Sequence, residues 1–426
     1  MEDKESKFKQ KKDTKIDKNC IFSKENVNTG HQPEFDYLKT ILVVLIVLCH
    51  FYEEFSKNFV FEIVLFWSWI FKAGSLMMLM GIGMKYTRHH EPKDYFYRGT
   101  TLFTLGQYVN LIRDAIPNII AFWATGNKNF LSRGMLIMQA DILSFAGIAF
   151  IFFSVLKKMK LSDNCILIIA IIMNAVAFPL YKIMKPPKSF LLSQILGYFV
   201  LIDAEAFFPL CSYFIMVAFG YWIGGIYLKI SNKDKFYNKI IIFGFPVVTI
   251  CLYIRINYGF PMLPDFYTFE HYILLPGPDW VITCLTNIVA LGFFYKLHKM
   301  LNEKTPEFVS HAGKNLNQYY IISYVSTVHI QTCVLVSKGD EYPFTMKNTT
   351  LIGFLLIIFC RVLIDINDKY IHFTIITLKN PTRKIVFALI WILNVICVIY
   401  IYPKLEAYAC MWNNYLLPSH NDQYVK

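Results

Sequence analysis

The chain has 426 residues, of which 55% are hydrophobic, 17% aromatic and only 17% charged, with a formal net charge of +12. A water-soluble domain of that balance would carry large apolar patches, so a soluble globular enzyme is excluded and a polytopic membrane protein is implied. In a membrane protein Lys and Arg report orientation first, so the positive charge is no argument for nucleic acid, and no nucleic-acid partner is expected.

Residues 1–35 hold eight Lys among Asp, Asn and Ser and read as a disordered basic cytosolic tail. The stretch 36–54, DYLKTILVVLIVLCHFYEE, is then almost unbroken apolar chain between Lys39 and His50. It does not alternate, so it is no half-buried strand, and it is long enough to cross a hydrocarbon core as a helix. Eleven steps of 100° bring Lys39 and His50 to within about 20° of one helical face, about 16 Å apart along the axis. One span thus carries a cation near one membrane surface and an imidazole well inside, where an ionisable group is functional by default. Glu53 and Glu54, three and four residues on, share that face and are placed to hold the ring, with Glu54 expected to orient it.

Apolar runs recur along the chain. The second, 60–86, carries Gly74, Ser75, Gly81 and Gly83, small residues that let neighbouring helices approach closely. The third, FYRGTTLFTLGQYVNLIRDAI, opens near Arg98 and is polar through Gln107, Asn110, Arg113 and Asp114, so it faces other helices or a cavity. A fourth, 135–156, places Asp141 inside an apolar helix. After 165–181 comes a short piece, 190–202, which suits a re-entrant or interfacial segment. Further spans follow at 208–228, 239–258 and 280–297. A ninth, entered by GKNLNQYYIISYVSTVHI, holds His329, and 349–365 and 384–402 complete the set. The expected fold class is an all-α polytopic membrane protein, a bundle of ten to eleven transmembrane helices forming one domain over 36–403, with a short tail at 404–426.

With these spans, the side holding residues 1–35 collects more than twice as many Lys and Arg as the other. That places the N-terminus in the cytosol and suggests the cell membrane as the location. His50, Asp141 and His329 then share the outer half of the bilayer. Most of the ten Cys lie within apolar runs without a CxxC pair, so they read as packing residues, and no metal site is expected. Cys49 adjoins His50 in sequence but points about 100° away on a helix, which argues against a Cys–His nucleophile pair. There is no internal repeat, Gly-rich phosphate loop, GxSxG elbow or HExxH.

Asp36, then Lys39, ten residues and His50 form a pattern that resembles the Arg-x10-His signature of the acyltransferase-3 family of multi-pass membrane acyltransferases, which are related to the heparan-alpha-glucosaminide N-acetyltransferases. The start of the third span at Arg98, the helix FPLCSYFIMVAFGYWIGG and the entry GKNLNQYY resemble the family less specifically. Lys39 stands where the family has Arg and supplies a point charge without the bidentate fork. The resemblance implies transfer of an acyl group, acetyl in the first place, from cytosolic acyl-CoA to a hydroxyl or amine of a glycan or glycolipid, with no tightly bound cofactor. His50 is then the general base, oriented by Glu54. Lys39 and Arg98, with Arg88 nearby, serve the donor's phosphates, and Asp141 and His329 support the site.

Two other readings use the same residues. In a proton-coupled permease, His50, Asp141 and His329 are relay groups. In a catalytically silent lipid- or partner-binding protein, the Lys at position 39 marks loss of donor binding.

Overall fold

The computed structural model describes residues 20–55, 59–134, 140–184, 187, 190–201, 207–258, 275–339, 344–372 and 381–396. Among them the only β-bridge is an isolated one between Phe22 and Ile230, and the rest is helix and loop. The first half comprises α1 (Pro33–Phe55), α2 (Phe59–Tyr86), α3 (Pro92–Asn110), a π-turn (Leu111–Ala115), α4 (Ile116–Thr125), α5 (Asn129–Gly134), α6 (Ile142–Lys158), α7 (Asp163–Ile183) and α8 (Phe190–Gly197). The second half comprises α9 (Leu210–Tyr227), α10 (Lys233–Lys239), a π-turn (Ile240–Gly244), α11 (Phe245–Tyr258), α12 (Gly277–Met300), α13 (Glu307–Lys338), α14 (Met346–Ile366), a π-turn (Asn367–Ile371) and α15 (Thr382–Ile396).

Local chemistry sets the helix ends. Ser162 and Thr345 cap α7 and α14 by accepting from the amides of Cys165 and Asn348. Gly126 and Gly339, in the left-handed region at φ 68° and 66°, stop α4 and α13 where a side chain would be strained.

Seven of the described helical stretches are long and apolar enough to cross a membrane: α1, α7, α9, the continuous Lys233–Arg255, α12, α13 and Met346–Ile371. The architecture is therefore all-helical and of the multi-pass membrane type. The eight residues of α8 reach only about 12 Å, too short to cross.

Polar and ring contacts sort the helix ends into two sets. At one, Lys85 of α2 pairs with Asp163 of α7, and Ser154 of α6 donates to the Pro92 carbonyl of α3 at 2.6 Å. At the same end Glu34 of α1 accepts from Tyr237 and Lys233 of α10, both at 2.9 Å. Tyr37 stacks on Phe294 of α12, and His311 of α13 lies 3.1 Å from Asp365 of α14. At the opposite end Tyr52 bonds Thr350 of α14, and buried Arg255 donates to Asp279 of α12 at 2.8 Å.

Residues 20–32 fall within the segment read as tail, yet they are pinned to the turn between α9 and α10. Ser23, Val27 and Asn28 donate their amides to the carbonyls of Lys229 and Leu228, and Ser231 donates its amide to Ile21. Pro33, Glu34 and Phe35, also within the segment read as tail, already belong to α1, and residues 1–19 lie outside the described residues, as do 404–426.

Helices α2 and α9 meet through reciprocal notches. A Cβ on Gly81 would lie 2.1 Å from the Val217 carbonyl, and one on Gly220 would lie 2.1 Å from that of Met78. Gly74 and Ser75 are also buried contacts, whereas Gly83 has nothing within 4 Å and faces outward, contrary to its expected packing role. Gly99 and Gly147 perform the same service between α3 and α6.

Gly220→Leu should therefore cost about 1–3 kcal/mol or more through overpacking. Gly83→Ala should be neutral or stabilising by about 0.5–1 kcal/mol. Thermal unfolding of both purified variants in detergent checks the contrast.

Candidate functional site

The C-terminal half of α1 presents His50, whose Nδ1 lies 3.3 Å from Glu53 Oε2. The imidazole lies flat on the Tyr324 ring of α13, with centroids 4.2 Å apart and planes 10° from parallel. Glu53's other oxygen accepts from the Cys49 thiol at 3.5 Å, so one carboxylate links two neighbours that do not meet directly. Glu54, expected to orient the imidazole, accepts from Gln331 of α13. Glu53, one residue earlier, reaches the ring because three residues along a helix already bring side chains onto one face.

The same Tyr324 ring carries a cation. Arg113 lies with its guanidinium carbon 4.2 Å from the ring centroid, and its Nε and Nη2 reach Asp114 Oδ2 at 2.7 and 2.6 Å. Both Arg113 and Asp114 are buried, at 1% and 5% exposure, so the pair is shut away from solvent. Tyr320, one turn before Tyr324, packs against it at 5.8 Å.

Pro117 explains the local backbone. It lacks an amide hydrogen and its ring clashes with the carbonyl four residues back, so an undistorted α-helix cannot run through Arg113. The chain answers with the π-turn at Leu111–Ala115, in which the Ile116 amide donates to Leu111 rather than to Ile112. The next donor that Ile112 would take in that register is Pro117 itself. Its carbonyl is thus left without a helical partner, and His329 of α13 supplies one, with Nε2 at 2.9 Å. A carbonyl only accepts, so His329 carries its proton on Nε2.

Asp141 is not inside a helix, as the hydropathy suggested, but caps the start of α6: its Oδ1 accepts from the Ser144 amide at 2.8 Å. A helix beginning at Ile142 needs an acceptor at 141, and Asp is among the best. The cap is buried, within electrostatic reach of Arg113 and Asp114, and Gly106 of α3 makes room for it. His329 is likewise within reach of Asp114, and Glu53 and Glu54 within reach of Tyr324.

Of the expected site residues, His50, Glu54, Asp141 and His329 thus gather around Arg113, Asp114 and Tyr324. Lys39 and Arg98 do not join them. Lys39 lies 3.4 Å from Asp36, which also holds His31 at 2.8 Å. Arg98 is exposed, with its guanidinium carbon 4.9 Å from the Phe150 ring centroid. The two cations share no partner among the described residues. Compared with family models, with curated proteins and with solved structures, the chain finds no match.

The arrangement offers an oriented imidazole beside a buried ion pair, with a second histidine committed to the backbone. His329→Leu should leave the Ile112 carbonyl unpartnered and cost about 1–3 kcal/mol. In a Pro117→Ala background, where residue 117 regains a donor, the same substitution should cost markedly less; thermal unfolding of the four combinations measures the difference.

Proposed function

We propose that the protein is an integral membrane acyltransferase of ten to eleven spans, with its N-terminal end in the cytosol. It moves an acyl group, acetyl in the first place, from cytosolic acyl-CoA to a hydroxyl or amine of a glycan or glycolipid. The observation that carries this reading is the setting of His50: Nδ1 faces Glu53, the ring is held flat on Tyr324, and Nε2 has no protein partner among the described residues. An imidazole held in that way keeps a lone pair available on Nε2 when Nδ1 carries the proton. The resemblance of the Lys39–His50 pattern to the acyltransferase-3 signature points the same way.

In the reaction, Nε2 of His50 removes the proton of the acceptor hydroxyl or amine as that atom attacks the thioester carbonyl. Collapse of the tetrahedral intermediate breaks the carbon–sulfur bond and releases CoA, and the proton on the imidazole leaves with the thiol. Glu53 orients the ring, and Glu54 fixes α1 to α13 through Gln331. Lys39 and Arg98 attract the donor's phosphates from the cytosolic end. About 16 Å of helix separates Lys39 from His50, a gap that the long arm of a CoA thioester is suited to bridge.

The gathering of His50, Asp141 and His329 around Asp114 favours one rival, a proton-coupled permease in which these three titratable groups are relay groups. Acetyl-CoA binding and acyl transfer by the purified protein separate the two. Under the proposal wild type binds acetyl-CoA, Lys39→Ala weakens binding, and His50→Ala keeps binding while losing about 10²–10⁴-fold in transfer. Full turnover by His50→Ala overturns the assignment of the base. Absence of donor binding, together with substrate accumulation driven by a proton gradient, establishes the permease.

A further inference from the structure

An acyl-CoA donor carries a diphosphate next to its pantetheine arm and a separate phosphate on the ribose 3′ oxygen, so it calls for more than one cation. Arg98 lies against Phe150 and does not join Lys39. A second cationic group beside Lys39 comes instead from the segment 20–32 that is pinned to the α9–α10 turn.

His31 Nε2 is 2.8 Å from Asp36 Oδ2, and Lys39 Nζ is 3.4 Å from Asp36 Oδ1, so one carboxylate holds an imidazole and an ammonium together. Asp36 is 4% exposed and wedged against α13, where a Cβ on Gly313 would lie 2.6 Å from its carboxyl carbon. The side chains of His31 and Lys39 are 67% and 30% exposed. The carboxylate is thus the anchor behind, and the two nitrogen groups are what an anion arriving from solution meets. With the imidazole protonated, two cations on one carboxylate leave a net positive charge.

The backbone around His31 is fixed in advance. Gln32 donates to Asn28 Oδ1 at 2.9 Å and to the Gly30 carbonyl at 2.7 Å, while Asn28 donates to the Tyr227 carbonyl of α9 at 3.0 Å. A side chain on such a support loses little further freedom when it binds a ligand. His31 precedes α1 and reaches only its first turn, so it lies farther from His50 than Lys39 does. A donor with its thioester at His50 presents the diphosphate first and the 3′-phosphate beyond it.

We propose that His31 binds the ribose 3′-phosphate of the acyl-CoA donor, beside Lys39 on the diphosphate; the assignment rests on the acyl-transfer reading. The protonated imidazole donates from both nitrogens, Nε2 to Asp36 and Nδ1 to the phosphate. The contact makes the segment before α1 part of the donor site, and it distinguishes CoA thioesters from those of dephospho-CoA, which lacks the 3′-phosphate.

Equilibrium binding of acetyl-CoA and of acetyl-dephospho-CoA to the purified full chain in detergent tests this. Wild type should bind acetyl-CoA about tenfold or more tightly than the dephospho form. His31→Ala should abolish that preference by weakening acetyl-CoA alone, and its unchanged affinity for the dephospho form shows that it is folded. His31→Arg, which keeps a cation there, should retain the preference. Lys39→Ala should weaken both donors and keep their ratio. Equal binding of the two donors by wild type, a preference that survives His31→Ala, or equal weakening of both donors in that variant overturns the role of His31 and leaves acyl transfer standing. Failure of wild type to bind either donor overturns the acyl-transfer reading together with it.

Discussion

The missing amide hydrogen of Pro117 governs the centre of this bundle. It forces the π-turn, frees the Ile112 carbonyl and so draws His329 from α13 onto α3. The same turn carries Arg113 and Asp114 in the stretch where α3 and α13 meet, and sets the guanidinium on Tyr324. An ion pair in apolar surroundings adds little net stability, but losing either half is expensive, so the arrangement is hard to leave once formed. His50 inherits that rigidity, because its own platform is the ring on which Arg113 rests.

The alternation of helix ends between a lysine-rich side and its opposite was legible from hydropathy and the Lys and Arg bias. Length and apolarity suffice for spans such as α7 and α12, where the helices run slightly beyond the expected 165–181 and 280–297. Asp141 was misplaced because an averaging window runs straight through a helix start; an acidic residue three before Ser144, ahead of an apolar run, is the local cap signal that separates the two cases. Glu53 and Glu54 were both legible as lying on the face of His50, whereas the contacts of Glu53 with His50 and Cys49 and of Glu54 with Gln331 depend on side-chain geometry that spacing does not give.

The ion pair was visible as a polar span but not as a centre. Nothing in spacing says that Arg113 folds back on its sequence neighbour, since consecutive side chains on an α-helix diverge by 100°. Pro117 was the available clue, a helix breaker four residues past an arginine in an otherwise continuous span. Tyr320 and Tyr324 carry a signal too: their four-residue spacing puts two rings on one face of α13. Which helix they meet depends on long-range packing, and hydropathy supplies depth alone.

The strap formed by residues 20–32 bears on how the protein is made. Its partners on the α9–α10 turn lie far along the chain: Asn28 bonds Tyr227 across 199 residues, and Ser231 reaches Cys20 across 211. At about 5–20 residues per second, synthesis of the intervening chain takes on the order of 10–40 s. Throughout that interval the carbonyls of Leu228 and Lys229 are not yet available to the amides of Ser23, Val27 and Asn28. Docking of the strap therefore reports that the first nine helices have been delivered in order, and a ribosome stalled before residue 230 would leave it open to protease.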